Sequence, residues 1–266
     1  MSDAISYSSD GKGPPLILLN GGLMTIASWE PIAADLAADY QVIRCDFRGQ
    51  LLSPGPPHFS LDGHVDDVVR LLDLLGIHDL HVLGTSFGGE VALLLAARYP
   101  ERVRSLVVLT ATDEITDEMR RSSRALIELS EKAARGGDGG AVFRAVAKET
   151  FSSAWLETQS PEFIEQRAAQ FAQLPASYYE GVAGLMRALE SMDLTDDLPR
   201  ISIPTLILGA ELDRVFPVEH SRSLAASIPG AELRILDGSG HGVVVETPGT
   251  VVAELREFHA RLSPRT

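Results

Sequence analysis

The sequence predicts an α/β fold whose doubly wound, mostly parallel sheet carries a helical cap inserted before its last two strands. Two observations predict it. Short, mainly apolar runs of strand length recur at 16–19, 41–45, 80–83, 105–109, 205–208 and 232–236. Most of them have no polar alternate face, which is how strands buried on both sides of a parallel sheet read. Helical patterns separate these runs until residue 112. From there to residue 199 only helical stretches remain, broken at Gly136-Gly137-Asp138-Gly139-Gly140 and again around Pro161 and Pro175.

The helices are legible by spacing. Leu61, Val65, Val68, Leu72 and Leu75 step by four and three, with Ser60 at the N-cap position and Gly76 at the C-cap, so one apolar stripe packs on a sheet. Val251, Leu255, Phe258 and Leu262 repeat the spacing after Thr247-Pro248, where Thr suits a cap and Pro the first turn. Strand–helix–strand alternation implies right-handed crossovers and helices on both faces. The helical insertion begins after Thr110-Ala111 and ends before Ile203-Pro204-Thr205. It should therefore overlie the carboxyl ends of the strands, where open α/β sheets bind ligands. The expected division is a core of 1–111 and 200–266 and a cap of 112–199.

Composition excludes several classes. Apolar residues make up 45% and charged residues 23%, the proportions of an ordinary globular chain. The formal net charge of -14, from 37 acidic against 23 basic side chains, repels phosphate backbones and anionic lipid, so neither nucleic acid nor a membrane is an expected partner. The single cysteine, Cys45, has no internal partner and reads as a buried thiol in a reducing compartment. Met1-Ser2-Asp3-Ala4 lacks the pattern of a signal peptide, and the longest fully apolar run, 91–97, is far below the roughly 20 residues a membrane helix needs. A cytoplasmic protein is expected. No Cys or His spacing resembles a metal site, and neither metal nor organic cofactor is anticipated.

The chemistry centres on His81-Val82-Leu83-Gly84-Thr85-Ser86-Phe87-Gly88-Gly89. A serine on a sharp strand-to-helix turn has a strained backbone that small neighbours two residues away permit, and the turn lifts its hydroxyl clear of the sheet. The helix N-terminus beyond it offers free N–H groups to a developing oxyanion. A chance glycine-rich turn is the plain alternative, but an apolar strand precedes the motif and an apolar helix follows it. The nucleophile needs a base. His241, in Gly238-Ser239-Gly240-His241-Gly242 after the last strand, has the right topology, whereas His58, His64, His78, His220 and His259 read as surface residues. Asp213, in the loop after the strand at 205–208, is the acid that would orient the imidazole, with Glu211 and Asp113 as rivals. An oxyanion hole would use the Phe87 N–H and one from Asn20-Gly21-Gly22-Leu23, with Gly22 nominated and Leu23 as its one-residue alternative.

Together these positions resemble the α/β-hydrolase fold family over nearly the whole chain outside the cap. The turn at 84–88 is similar to the family's nucleophile motif, the Asp213 segment to its acid loop, and Gly240-His241 with Glu246-Thr247-Pro248 to its histidine signature. Asp46-Phe47-Arg48-Gly49-Gln50 through Ser53 resembles a structural Asp-x-Arg-Gly segment. The chain departs from the family in three places. Asn20-Gly21 stands where many members have His-Gly, a variant that looks like enol-lactonases and some esterases. Gln50-Leu51-Leu52-Ser53 replaces His-Gly-x-x-Ser. The short N-terminus puts an edge strand in question. A serine at the elbow argues against dehalogenases, which use aspartate there, and Gly242 against carbon–carbon bond hydrolases, which place a tryptophan after the histidine. The resemblance thus implies a serine hydrolase acting on a small ester or lactone through an acyl-enzyme. Acyl transfer on the same residues and a non-catalytic ligand receptor are the alternatives, and an intact Ser–Asp–His set argues against the receptor. Phe143, Phe151, Trp155, Phe163, Phe171, Tyr178, Tyr179, Met186 and Met192 supply apolar surface for a pocket or for the cap's own core.

Overall fold

A computed structural model of the chain describes residues 4–53 and 55–262. The apolar runs become strands β2 (Pro15–Leu19), β3 (Gln41–Cys45), β4 (Leu80–Thr85), β5 (Val103–Leu109), β6 (Thr205–Ala210) and β7 (Glu232–Leu236). An edge strand is present after all. β1 (Tyr7–Asp10) pairs antiparallel with β3, Tyr7 opposite Cys45, while every other pairing is parallel. Its residues, Tyr-Ser-Ser-Asp, are mostly exposed and carry no apolar alternation, which is why the pattern of the sequence does not announce it.

Among the described residues the sheet order is β1-β3-β2-β4-β5-β6-β7. From β2 the chain steps outward to β3, then returns past β2 to β4 and continues the other way, so the loops leaving β2 and β4 diverge. Open sheets bind ligands in the crevice at such a switch point. The central strands are buried on both faces, and the edge strand β7 is wetter.

Helix α1 (Glu30–Leu36) and, after the short α10 (Val243–Glu246), helix α11 (Pro248–Ala260) cover one face, where Trp29, Ile32, Leu36, Val251, Leu255 and Phe258 pack on Leu16, Leu83, Val107 and Leu208. Helices α2 (Leu61–Leu75), α3 (Phe87–Arg98) and α9 (Val218–Ser227) cover the other. Gly76 closes α2 with φ 66°, as its position predicts. Ser60 and Thr247 occupy their N-cap positions but make no side-chain cap bond, and the Thr247 hydroxyl instead donates back to the Val243 carbonyl. Helix α3 is apolar apart from Glu90 because it is buried all round, from Phe87 to Ala97.

Between β5 and β6 lie α4 (Asp117–Ala134), α5 (Gly140–Thr150), α6 (Ser153–Glu157), α7 (Phe163–Phe171) and α8 (Ala176–Leu189). Their entry and exit are joined by a bridge between Glu114 and Asp193. Phe143, Ala147, Phe151 and Ala168 form a small core of their own within these helices. No helix among the described residues is long and apolar enough to cross a membrane.

Candidate active site

Ser86 sits between β4 and α3 with φ 50° and ψ -126°, a backbone conformation that L-residues rarely adopt and that costs about 1–3 kcal/mol. Its surroundings hold it there. The Ser86 N–H donates to the Leu109 carbonyl at 3.0 Å, and the Ser86 carbonyl accepts from the Gly89 and Glu90 N–H groups at 2.6 and 3.1 Å. The two flanking glycines are required by close approach. A Cβ on Gly84 would lie 2.2 Å from the Gly88 carbonyl oxygen, and one on Gly88 would lie 2.1 Å from that of Leu19.

Asp213 is buried in the loop after β6, and each of its oxygens is engaged. Oδ1 accepts from the Val215 and Phe216 N–H groups, both at 2.8 Å, and Oδ2 lies 2.8 Å from His241 Nδ1. A carboxylate only accepts, so the imidazole proton belongs on Nδ1 and the lone pair on Nε2. The Phe216 ring stands edge-on to His241, and the Thr110 hydroxyl donates to the His241 carbonyl at 3.3 Å. Thr110 is itself in the left-handed region, with φ 44°. Glu246 holds the histidine loop from below: its carboxylate accepts from the Gly240 N–H at 3.1 Å and from the Ser152 N–H at 3.2 Å, and the Gly242 N–H donates to the Thr150 carbonyl at 2.8 Å. The rival acids are occupied elsewhere. Glu211 accepts from the Gly238 N–H and Asp113 from the Ser223 hydroxyl.

The loop after β2 rests on a buried polar network. Trp29 Nε1 donates to Asn20 Oδ1 at 2.6 Å, and Asn20 Nδ2 donates to Asp46 Oδ1 and Gln50 Oε1, each at 3.1 Å. Gln50 Oε1 also accepts from the Phe47 N–H, while its amide nitrogen donates to the carbonyls of Gly21 and Met24. Asn20 and Gln50, the two departures in family motifs, are thus hydrogen-bonded to each other, a relation no local pattern contains. Burial raises the Asp46 carboxyl above its usual range against the Ile26, Leu52 and Asn20 donors that lower it, and burial raises Glu90, on α3 behind the elbow, well above its usual range. Above the loop, a Cβ on Gly22 would lie 2.4 Å from Met186 Cε, and the Tyr178 hydroxyl donates to the Leu23 carbonyl at 2.7 Å. Among the described residues neither the Gly22, the Leu23 nor the Phe87 N–H has a protein acceptor.

Ser86, His241, Gly22 and Leu23 line one cavity of about 730 Å³, roofed by the helices between β5 and β6. That volume suits a small organic ligand. No hydrogen bond joins Ser86 to His241 here, and such contacts often tighten only when substrate binds. Of the aromatic and methionine side chains read from the sequence, Phe143, Phe151, Trp155, Phe163, Phe171 and Tyr178 line the cavity, whereas Tyr179, Met186 and Met192 do not. Two histidines expected at the surface are elsewhere. His64 is fully buried among Phe47, His58 and Phe87, and His259 bridges the Tyr40 and Ser105 hydroxyls. His58 and His220 are hydrogen-bonded to Asp67 and Thr112. Among the described residues no group of His, Cys, Asp or Glu is arranged to hold a metal.

A family model described as the alpha/beta hydrolase fold matches residues 14–248. The chain belongs to the α/β-hydrolase fold family. A relative from Stutzerimonas stutzeri named "Putative carbamate hydrolase RutD" is 28% identical over 230 residues, 86% of this hydrolase and 84% of the relative. A hydrolase of known structure from Pseudomonas aeruginosa is 30% identical with a TM-score of 0.84, the match covering 97% of this chain and 96% of that one. An enol-lactonase from Burkholderia xenovorans is 25% identical with the same TM-score and the same coverage.

Proposed function

We propose that this hydrolase cleaves a small carboxylic ester or lactone through an acyl-enzyme on Ser86, with His241 as base and Asp213 as its orienting acid. The observation that supports the reading is the 2.8 Å contact of Asp213 with His241 Nδ1 in a cavity shared with Ser86. Nε2 takes the Ser86 proton as the hydroxyl oxygen attacks the carbonyl carbon, and Asp213 stabilises the imidazolium that forms. The Phe87 N–H and the Gly22 N–H, or that of Leu23 one residue on, hold the oxyanion. Collapse returns the proton from His241 to the departing oxygen. Water then repeats the cycle on the acyl-enzyme, with His241 again as base, and releases the acid. No step calls for a cofactor, and the acidic surface and lone buried thiol fit a cytoplasmic enzyme.

The name of the Stutzerimonas relative brings carbamates into the same reading, because a carbamate carbonyl offers the same atoms to attack. The test is to treat the protein with a fluorophosphonate, map the adduct, and assay a panel of short nitrophenyl esters, simple lactones and carbamates. An adduct on Ser86, with turnover lost in Ser86→Ala and in a folded His241→Ala, is expected. Turnover that survives Ser86→Ala refutes the mechanism. Preference within the panel separates the substrate classes, and addition of alcohol acceptors separates hydrolysis from acyl transfer.

A further inference from the structure

Helix α7 presents one consistent face to the cavity. Phe163, Arg167, Gln170 and Phe171 fall at i, i+4, i+7 and i+8, and all four line it. The other side of the helix turns away, where Glu165 pairs with Arg144. Arg167 is thus on the cavity side by helical geometry, and being exposed it stands where the cavity opens to solvent. Charge makes the position unusual. Among the described residues no Asp or Glu lines the cavity, and Arg167 is the one Lys or Arg that does. The chain carries 37 acidic side chains, yet among the described residues Arg167 pairs with none of them. Its one bond is from Nη1 to Gln170 Oε1 at 2.9 Å. That bond leaves most of the guanidinium donors free and orients the Gln170 amide, whose nitrogen remains a donor on the same face.

The remaining cap walls are dominated by Phe143, Phe151, Trp155 and Phe171. An apolar cavity whose one permanent charge among the described residues is a cation at its mouth discriminates by what lies at the far end of the ligand. We propose that Arg167, assisted by Gln170, binds a carboxylate at the end of the substrate remote from the scissile carbonyl. The substrate class is then a half-ester of a dicarboxylic acid or a lactone bearing a free carboxylate. The planar fork of arginine matches a carboxylate with two parallel hydrogen bonds, and partial withdrawal from water strengthens them. This rests on the reading of Ser86 as nucleophile.

The test compares mono(4-nitrophenyl) adipate with 4-nitrophenyl heptanoate, which replaces the terminal carboxylate by an ethyl group. In Arg167→Met, which keeps the length of the stem, the adipate-to-heptanoate ratio of kcat/KM should fall about tenfold, the range for a charge-assisted pair discounted for exposure. Arg167→Lys, with charge but no fork, should fall between. A ratio that stays within about twofold of wild type in a folded Arg167→Met overturns the proposal. Calorimetric titration with free adipate gives a second readout that needs no turnover. Adipate affinity lost in Arg167→Met supports the carboxylate site even if neither ester is cleaved, and equal affinity of wild type and variant, or none in either, overturns it. Failure of the Ser86 chemistry appears separately, as ester turnover absent from wild type or retained in Ser86→Ala.

Discussion

His64 gives the protein a defined weakness in mild acid. It lies on the inner face of α2, fully buried, with neither ring nitrogen hydrogen-bonded and with Phe47 and Phe87 edge-on at 5.3 and 5.1 Å. Burial, reinforced by neighbouring His58, lowers its pKa from 6.5 to about 3. The folded protein therefore keeps the ring neutral while the unfolded chain protonates it below 6.5, so stability is lost as pH falls from 6.5 toward 3. At pH 5.0 the unfolded chain gains about 2 kcal/mol from this proton and the folded state almost nothing. That figure barely depends on the folded value so long as it lies below about 4. Glu90 opposes the trend: burial raises its pKa in the folded protein, so its contribution falls as pH rises above the ordinary glutamate range. A comparison between variants cancels it. His64→Phe keeps a ring of similar shape among the aromatic neighbours and removes the titration. Urea unfolding at pH 7.5 and 5.0 should show that the stability lost between the two is about 2 kcal/mol smaller in His64→Phe than in wild type. An equal loss in both proteins refutes the argument, because any packing defect of the variant acts at both pH values alike.

Three further outcomes follow from the site. In Gly88→Ala the new methyl meets the Leu19 carbonyl oxygen at 2.1 Å and that of Asn20 at 2.7 Å; both are backbone, so denaturant unfolding should show a loss of about 3 kcal/mol, and ester turnover should collapse with the displaced loop. In Asp213→Asn, retention of the Val215 and Phe216 bonds turns the new amide nitrogen toward His241 Nδ1 and drives the imidazole into the wrong tautomer; kcat should drop by roughly 10³–10⁴ with the fold intact. Gln50→Ala strips support from Asn20 and from the Gly21 and Met24 carbonyls; we expect about 2–3 kcal/mol of destabilisation and roughly a tenfold loss in kcat, part of what a whole oxyanion donor supplies, and unchanged kinetics would show that the loop holds itself.

What could be read from the chain was what local backbone chemistry dictates. Ser86 and His241 stand among glycines because a tight turn and a close approach demand them, and Asp213 follows a buried strand by a few residues. The parallel strands are legible because two-sided burial leaves no polar alternation. The edge strand at Tyr7–Asp10 was not legible: backbone pairing to β3 holds it, and most of its side chains face water. His64 carried a signal, three residues after Leu61 and four before Val68 on the stripe of α2, although a histidine there looked like a surface residue. Arg167 and the Asn20–Gln50 bond had none, because each takes its meaning from residues distant in sequence, across a cavity in one case and between two loops in the other.

Glu246 joins the loop that presents His241 to Ser152, at the start of the short helix α6, and Gly242 is joined in turn to Thr150. The roof of the cavity and the loop that carries His241 share one joint. Exchanging the roof for that of another hydrolase, the obvious route to a new specificity, would cut that joint and set the imidazole adrift. Inheritance faces the same restriction: this stretch between β5 and β6 can drift in sequence only where the peptide groups of Thr150 and Ser152 stay put. Selectivity for ligands can therefore change more readily at the exposed Arg167 and Gln170 of α7, which make no bond to that joint, than at the α5–α6 corner.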